Sequence, residues 1–187
     1  MILAHLSWFC MAFYCPYAAD MTLRERVGPE ITQATHQDVA SKTLTIFCLR
    51  HAEKVDDSRD PALSQVGKQR AALLAKMLKD LEISQIHTTD YLRTRDTVAP
   101  LANAKGLKPE TYDPRSLKSF AEELKRQQGV HVVVGHSNTT PDLVKWLGGD
   151  PGEPIIEASE YDRLYIVTIV DGVAASSMVL RFGESSR

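Results

Sequence analysis

Two histidines, His51 and His136, each follow an apolar, β-rich run, and each is flanked by groups that bind anions. Thr43-Leu44-Thr45-Ile46-Phe47-Cys48-Leu49 leads into Arg50-His51-Ala52-Glu53-Lys54. Val130-His131-Val132-Val133-Val134 leads into Gly135-His136-Ser137-Asn138-Thr139-Thr140. A third segment, Thr89 to Thr97, carries Arg93 and Arg95. These residue types suit phosphoryl transfer. Neutral imidazole attacks phosphorus, and the phosphoimidazole it forms is cleaved by water. Fixed cations must surround the equatorial phosphoryl oxygens, and an acid must serve the leaving alkoxide. Arg50 offers a planar fork for two oxygens, and Lys54 adds a point charge. His136 can donate to a phosphoryl oxygen, more strongly when protonated. Ser137 and Asn138 are small polar residues that line a pocket floor well. Each segment read alone also fits a blander role: a solvated charge cluster, surface salt bridges, or a capped helix start. Arg93 and Arg95 cannot both face one way on a single helix, so one faces the pocket and the other pairs with Asp90 or Asp96.

The elements around these segments must bring the two histidines together. The run 43–49 is long enough for a buried strand. Ser64 is a candidate N-cap for a helix through about Leu81, with Ala71, Leu74, Ala75, Leu78 and Leu81 on one face. A short strand over 84–88 precedes a helix over 91–105 that Gly106 ends. An edge strand over 107–112, a helix over 116–127 and a strand over 130–134 follow. A helix begins after Pro141, and strands over 164–170 and 174–182 join at the hairpin-type turn Asp171-Gly172. Alternating strands and helices predict an α/β three-layer sandwich, a mostly parallel sheet with helices on both faces and an antiparallel edge. Ligands in such folds sit beyond the carboxyl ends of strands, where both histidines fall.

Composition narrows the partners. The 187-residue chain is 43% hydrophobic and 25% charged, with a formal net charge of -2. It therefore lacks the broad basic field that nucleic acid requires, and an anion must be gripped by a few local cations. Residues 1–19 contain no Lys, Arg, Asp or Glu and read as an export signal or short membrane anchor, with Ala18-Ala19 as a small-residue cleavage region. Export, to periplasm or medium, is the expected location, with possible membrane association before processing. A mis-chosen start or an extra buried helix is the alternative. Residues 20–41 read as a linker or arm, and 42–187 as the catalytic domain. Cys48, inside an apolar run, reads as a packed core thiol. His36 and His131 lack partners in sequence, His87 reads as structural, and Trp146 with Leu147 reads as core.

Taken jointly, the segments resemble the histidine phosphatase superfamily, also called phosphoglycerate mutase-like. The resemblance covers about Lys42 to Val170. Arg50-His51-Ala52-Glu53 resembles its Arg-His-Gly signature, with Ala52 in place of glycine. Asp60-Pro61-Ala62-Leu63-Ser64-Gln65-Val66-Gly67 is similar to its Asp-x-x-Leu-Thr-x-x-Gly segment. Thr89 to Val98 resembles its Ser-x-Leu-x-Arg-x-x-x-Thr segment, which makes Arg93 the pocket arginine. Gly135-His136 matches its second histidine. The resemblance implies a phosphohistidine on His51, a phosphate pocket of Arg50, Arg93 and His136, a small phosphorylated substrate, and neither metal nor cofactor.

The family's acid is not plain in this chain. Many members carry a glutamate in an insertion after the second arginine, and another branch places aspartate directly after the second histidine, where this chain has Ser137. Asp113 is the first candidate for the general acid and Glu53 the second. Without an acid, the substrate needs a good leaving group, such as phosphohistidine or an acyl or anhydride phosphate. Hydrolysis leads; a phosphomutase and a non-catalytic phosphate-binding module are the alternatives.

Overall fold

The computed structural model describes residues 41–184. The expected export segment, and all of the arm but Ser41, lie outside the described residues. Ten elements follow in order: β1 (Thr43–Arg50), α1 (Gln65–Met77), β2 (Gln85–Thr88), α2 (Leu92–Lys105), β3 (Glu110–Thr111), α3 (Leu117–Leu124), β4 (Gly129–Gly135), α4 (Thr139–Leu147), β5 (Arg163–Val170) and β6 (Val173–Arg181). The six strands form one sheet in the order β3-β2-β4-β1-β5-β6. β3, β2, β4 and β1 run parallel, and β5 and β6 add the antiparallel edge.

Period-two alternation sends β-strand side chains to two separate cores. Leu44, Ile46 and Cys48 of β1 pack with Leu117, Ala121 and Leu124 of α3 and Leu143, Val144 and Leu147 of α4. Phe47 and Leu49 face the other way, toward Leu74 of α1 and Val98 and Leu101 of α2. Each fully buried aliphatic side chain contributes about 1.5–3 kcal/mol relative to exposure. Helices therefore cover both faces of the sheet. Burial pushes the Cys48 thiol up to about 12, so it stays a neutral packing group.

Local chemistry sets the element ends. The Ser64 hydroxyl accepts from the Gly67 N–H at 3.1 Å, capping α1. α1 stops at Met77 rather than running on to Leu81, and Leu81 is exposed. Gly106 closes α2 with φ 64°. α4 begins at Thr139, so Pro141 lies inside its first turn, where the missing N–H has no intrahelical partner to lose. Asp171 and Gly172 both adopt positive φ, as a tight hairpin turn between twisted strands requires. Trp146 differs from expectation. It is 44% exposed, with the Lys118 ammonium 5.3 Å from its ring, whereas the adjacent Leu147 is fully buried. Helical geometry turns adjacent residues about 100° apart, so only one of the pair reaches the sheet.

Residues 151–162 form neither helix nor strand. They are anchored by Glu160, whose carboxylate is buried against Arg163 Nε at 2.8 Å and Arg181 Nη1 at 2.6 Å. Burial alone would raise this carboxyl, but hydrogen bonds from Arg163, the Ile156 N–H and Arg181 outweigh it and hold it at about 2. A paired, hydrogen-bonded charge of this kind fixes one loop conformation rather than adding much stability.

Candidate active site

The sheet order brings the site together. β1 and β4 are parallel neighbours with Arg50 opposite Gly135, so the residues that follow each strand emerge side by side. The His51 N–H donates to the Gly135 carbonyl at 2.9 Å, and the His51 and His136 rings meet edge-on at 5.6 Å. A Cβ at Gly135 would meet Tyr112 Oη at 2.8 Å and Thr139 Oγ1 at 3.0 Å, so those side chains would have to shift to admit any other residue. β2 ends beside β4 and delivers Thr89, whose Oγ1 lies 3.0 Å from His136 Nε2.

His51 is 2% exposed, and its Nδ1 lies 2.8 Å from the Ala52 carbonyl oxygen. A carbonyl only accepts, so Nδ1 carries the proton and Nε2 carries the lone pair. Burial lowers His51 to about 3, opposed by the bond to Ala52 and reinforced by the charges of Arg50, Arg93 and His136. The imidazole is thus neutral at ordinary pH, with its lone pair on Nε2, the form a nucleophile needs. His136 is lowered to about 4, first by burial and then by Arg93. Arg93 Nη2 approaches His136 Nδ1 at 3.4 Å. That contact makes Nδ1 an acceptor and Nε2 the donor to Thr89.

The two arginines sit differently. Arg50 is 2% exposed and stacks 3.9 Å from the Tyr161 ring centroid. Its Nη1 donates to the Glu160 carbonyl at 2.9 Å, and its Nη2 donates to the Glu157 carbonyl at 2.8 Å and pairs with the Glu157 carboxylate at 3.0 Å. Arg93, at the start of α2, lies 4.5 Å from the Tyr91 ring centroid, with Asp60 Oδ1 3.7 Å from its Nη1. The same Asp60 oxygen accepts from the Leu92 N–H at 2.8 Å, capping α2 from another loop. Two guanidinium nitrogens, Arg50 Nε and Arg93 Nη1, are buried without a hydrogen-bond partner among the described residues. Orphaned buried donors are costly in a folded protein unless an anion fills them in use.

A cavity of about 450 Å³ is lined by His51, Lys54, Arg93, Arg115, His136 and Glu157, among others. Ser137 and Asn138 also border it, and Lys54 pairs with Asp57 at 2.7 Å. Arg95 faces away, 45% exposed, and pairs with Asp90. The structure thus gathers His51, Arg93, His136, Lys54, Ser137 and Asn138 around one cavity and sets Arg50 beside it.

Neither carboxylate favoured by sequence lines the His51 cavity. Asp113 accepts from the Arg115 N–H and Nε at 3.0 Å, and these hydrogen bonds hold its carboxyl below the usual range. It does not line the His51 cavity. Glu53 is clasped by Arg70 Nη2 at 2.7 Å and Nε at 3.0 Å, within the packing of α1. His87, read as structural, and His131, which lacked a partner in sequence, bond each other at 3.1 Å on the sheet face toward α3. Sequence reasoning missed Thr89 and Glu157. Thr89 had a signal, since it ends a parallel strand next to the histidine strand.

Three comparisons bear on this geometry. Residues 46–116 match the model of the histidine phosphatase superfamily (branch 1). A probable phosphoglycerate mutase of Yersinia enterocolitica is 35% identical over 79 residues, which cover 38% of this chain and 36% of that protein. The match thus spans about a third of the relative's length. Among solved structures, a protein histidine phosphatase, SixA, complexed with tungstate, superposes with TM-score 0.60 at 19% identity, covering 73% of this chain and 96% of that one. A mycobacterial glucosyl-3-phosphoglycerate phosphatase gives TM-score 0.57 at 13% identity, with coverages of 78% and 100%. At these identities the structural likeness speaks for the fold.

Proposed function

We propose that the chain, whose residues 46–116 match the model of the histidine phosphatase superfamily (branch 1), is a phosphohydrolase whose covalent intermediate forms on His51. The observation that carries this reading is the commitment of His51 Nδ1 to the Ala52 carbonyl, which leaves the Nε2 lone pair unprotonated in a site where Arg50 Nε and Arg93 Nη1 have no hydrogen-bond partner among the described residues. A pure phosphate binder needs the cations but not a buried, neutral imidazole in a fixed tautomer.

The steps follow from these groups. Nε2 of His51 attacks phosphorus in line with the leaving oxygen. The N–P bond forms as the P–O bond to the leaving group breaks, and that oxygen takes a proton. Arg50 and Arg93 hold the equatorial oxygens as negative charge spreads over them, and His136, its Nε2–H donated to Thr89 and its Nδ1 facing Arg93, positions that arginine. Water then attacks phosphorus, the N–P bond breaks, and inorganic phosphate leaves with His51 neutral again.

Water access favours hydrolysis over a mutase. Arg115 and Glu157, both lining the cavity, are 88% and 60% exposed, so the mouth formed by the described residues is open to solvent. A mutase must keep its phosphohistidine from water. The test is phosphate release from phosphomonoesters and from a phosphoramidate by the full chain in EDTA, with product analysis. Free phosphate in step with dephosphorylated product supports the hydrolase. Isomerised phosphoester without free phosphate means a mutase, and no turnover means a binder.

A further inference from the structure

We propose that Glu157 is the general acid and base of this site and that it extends the substrate class to phosphomonoesters of ordinary alcohols. The inference rests on the phosphohydrolase reading above. Glu157 is the one carboxylate among the residues lining the His51 cavity. Its Oε1 lies 3.0 Å from Arg50 Nη2, and its Oε2 accepts a hydrogen bond from Ser137 Oγ. Ser137 directly follows His136, so this bond ties the carboxylate to the strand end that carries the second histidine. Asp113, Glu53, Asp60 and Asp57 are paired with Arg115, Arg70, Arg93 and Lys54, and none of the four lines the cavity.

The loop that carries Glu157 is built to stay in place. Its carbonyls at Ile156, Glu157 and Glu160 receive Arg50, and the buried Glu160, Arg163 and Arg181 cluster anchors its far end. The side chain is 60% exposed at the mouth. Its backbone is therefore fixed by Arg50, while its carboxylate, held by Arg50 Nη2 and Ser137 Oγ, borders the cavity.

The proton balance closes. A phosphomonoester entering as its monoanion beside Arg50 displaces the Glu157 carboxylate from the guanidinium and passes its proton to that carboxylate. As Nε2 of His51 bonds to phosphorus, the Glu157 carboxyl gives this proton to the departing alkoxide, and an alcohol leaves. The carboxylate then takes a proton from the attacking water as the N–P bond breaks, and the carboxyl is restored. No other reactant is needed.

The discriminating experiment compares an alkyl phosphate with 2,4-dinitrophenyl phosphate, whose leaving group departs without a proton. Full-length wild type and Glu157→Gln are assayed on both. General acid catalysis is worth about 10²–10⁴-fold. The loss in Glu157→Gln should thus be about 100-fold greater on the alkyl phosphate than on the dinitrophenyl ester. Glu157→Asp should recover part of that difference, and Ser137→Ala should show a smaller loss of the same selectivity. Equal losses on both substrates would mean that Glu157 acts only through Arg50 and would overturn the proposal. A gain on both would make the carboxylate a competitor for the anion site and overturn it too. Wild-type enzyme that turns over the aryl but not the alkyl ester sinks the proposal alone. Wild-type enzyme that turns over neither sinks the phosphohydrolase reading itself.

Discussion

Replacing Arg93 by alanine removes a guanidinium that has one buried nitrogen without a hydrogen-bond partner among the described residues and another 3.4 Å from His136 Nδ1. The side chain is only 16% exposed, so solvent screens its charge little. A donor aimed at a transition-state oxygen is worth about 10²–10³ in kcat. Arg93→Ala should therefore lower kcat/KM on an aryl phosphate by at least about 100-fold. Arg95 is two residues away, exposed, and paired with Asp90 outside the cavity. Arg95→Ala should stay within about twofold, the range of about 0.5 kcal/mol typical of surface changes. Arg93→Lys keeps the charge but not the planar fork and should fall between the two. Inhibition by tungstate gives an independent reading, since Arg93→Ala should weaken it while Arg95→Ala should not. Arg93 also lowers His136, so its removal should let the His136 pKa rise in a proton NMR titration. Equal losses from Arg93→Ala and Arg95→Ala, or unchanged tungstate inhibition in Arg93→Ala, would refute Arg93 as the pocket arginine.

Other expectations follow from the same structure. A Cβ at Gly67 would sit 2.2 Å from the Glu53 carbonyl oxygen, two residues from His51. Gly67→Ala should therefore cost about 1–3 kcal/mol or more, seen as a lower Tm together with a lower kcat, and an unchanged Tm would contradict the contact. His51, His87 and His136 are held at about 3, 4 and 4 in the folded chain. The unfolded chain binds more protons below about 6.5, so these groups leave stability unaffected above that pH and erode it as pH falls toward 4, by up to about 1.4 kcal/mol per unit each. Urea unfolding at pH 7 and pH 5 measures this loss, and NMR titration of His51 near 6.5 would contradict it. Residues 1–19 are proposed as an export signal, so N-terminal sequencing of exported protein should begin near Asp20. Exported protein that still starts at Met1 would refute cleavage.

The scaffold was legible because its signals are local. The β-rich run 43–49 became β1, Ser64 capped α1, Gly106 ended α2, and Asp171-Gly172 made the hairpin turn. Backbone hydrogen bonding and side-chain periodicity act over a few residues, so sequence records them. Errors arose where tertiary packing decides. Leu81 continued the apolar face of α1 but falls beyond its last turn, and Trp146 neighbours a core leucine yet points outward. The histidine and arginine positions were readable because each stands at the end of an element. Glu157 was not, since the Pro151 to Asp162 stretch has no period and its carboxylate reaches Ser137 across 20 residues of sequence. The pairing of Asp113 was not read either, although Arg115, close behind it, binds it within the same turn. The role of Asp60 was similarly hidden, for it caps a helix 32 residues away.

The phosphohistidine is tested most directly by rapid-quench labelling of the full-length protein in EDTA with a radiolabelled aryl phosphate. A protein-bound label that is acid-labile and base-stable, and that His51→Ala abolishes while retaining the native circular dichroism spectrum, is the expected result. A label that persists in His51→Ala, or phosphate release by wild type with no label at any quench time, would contradict a covalent intermediate on His51.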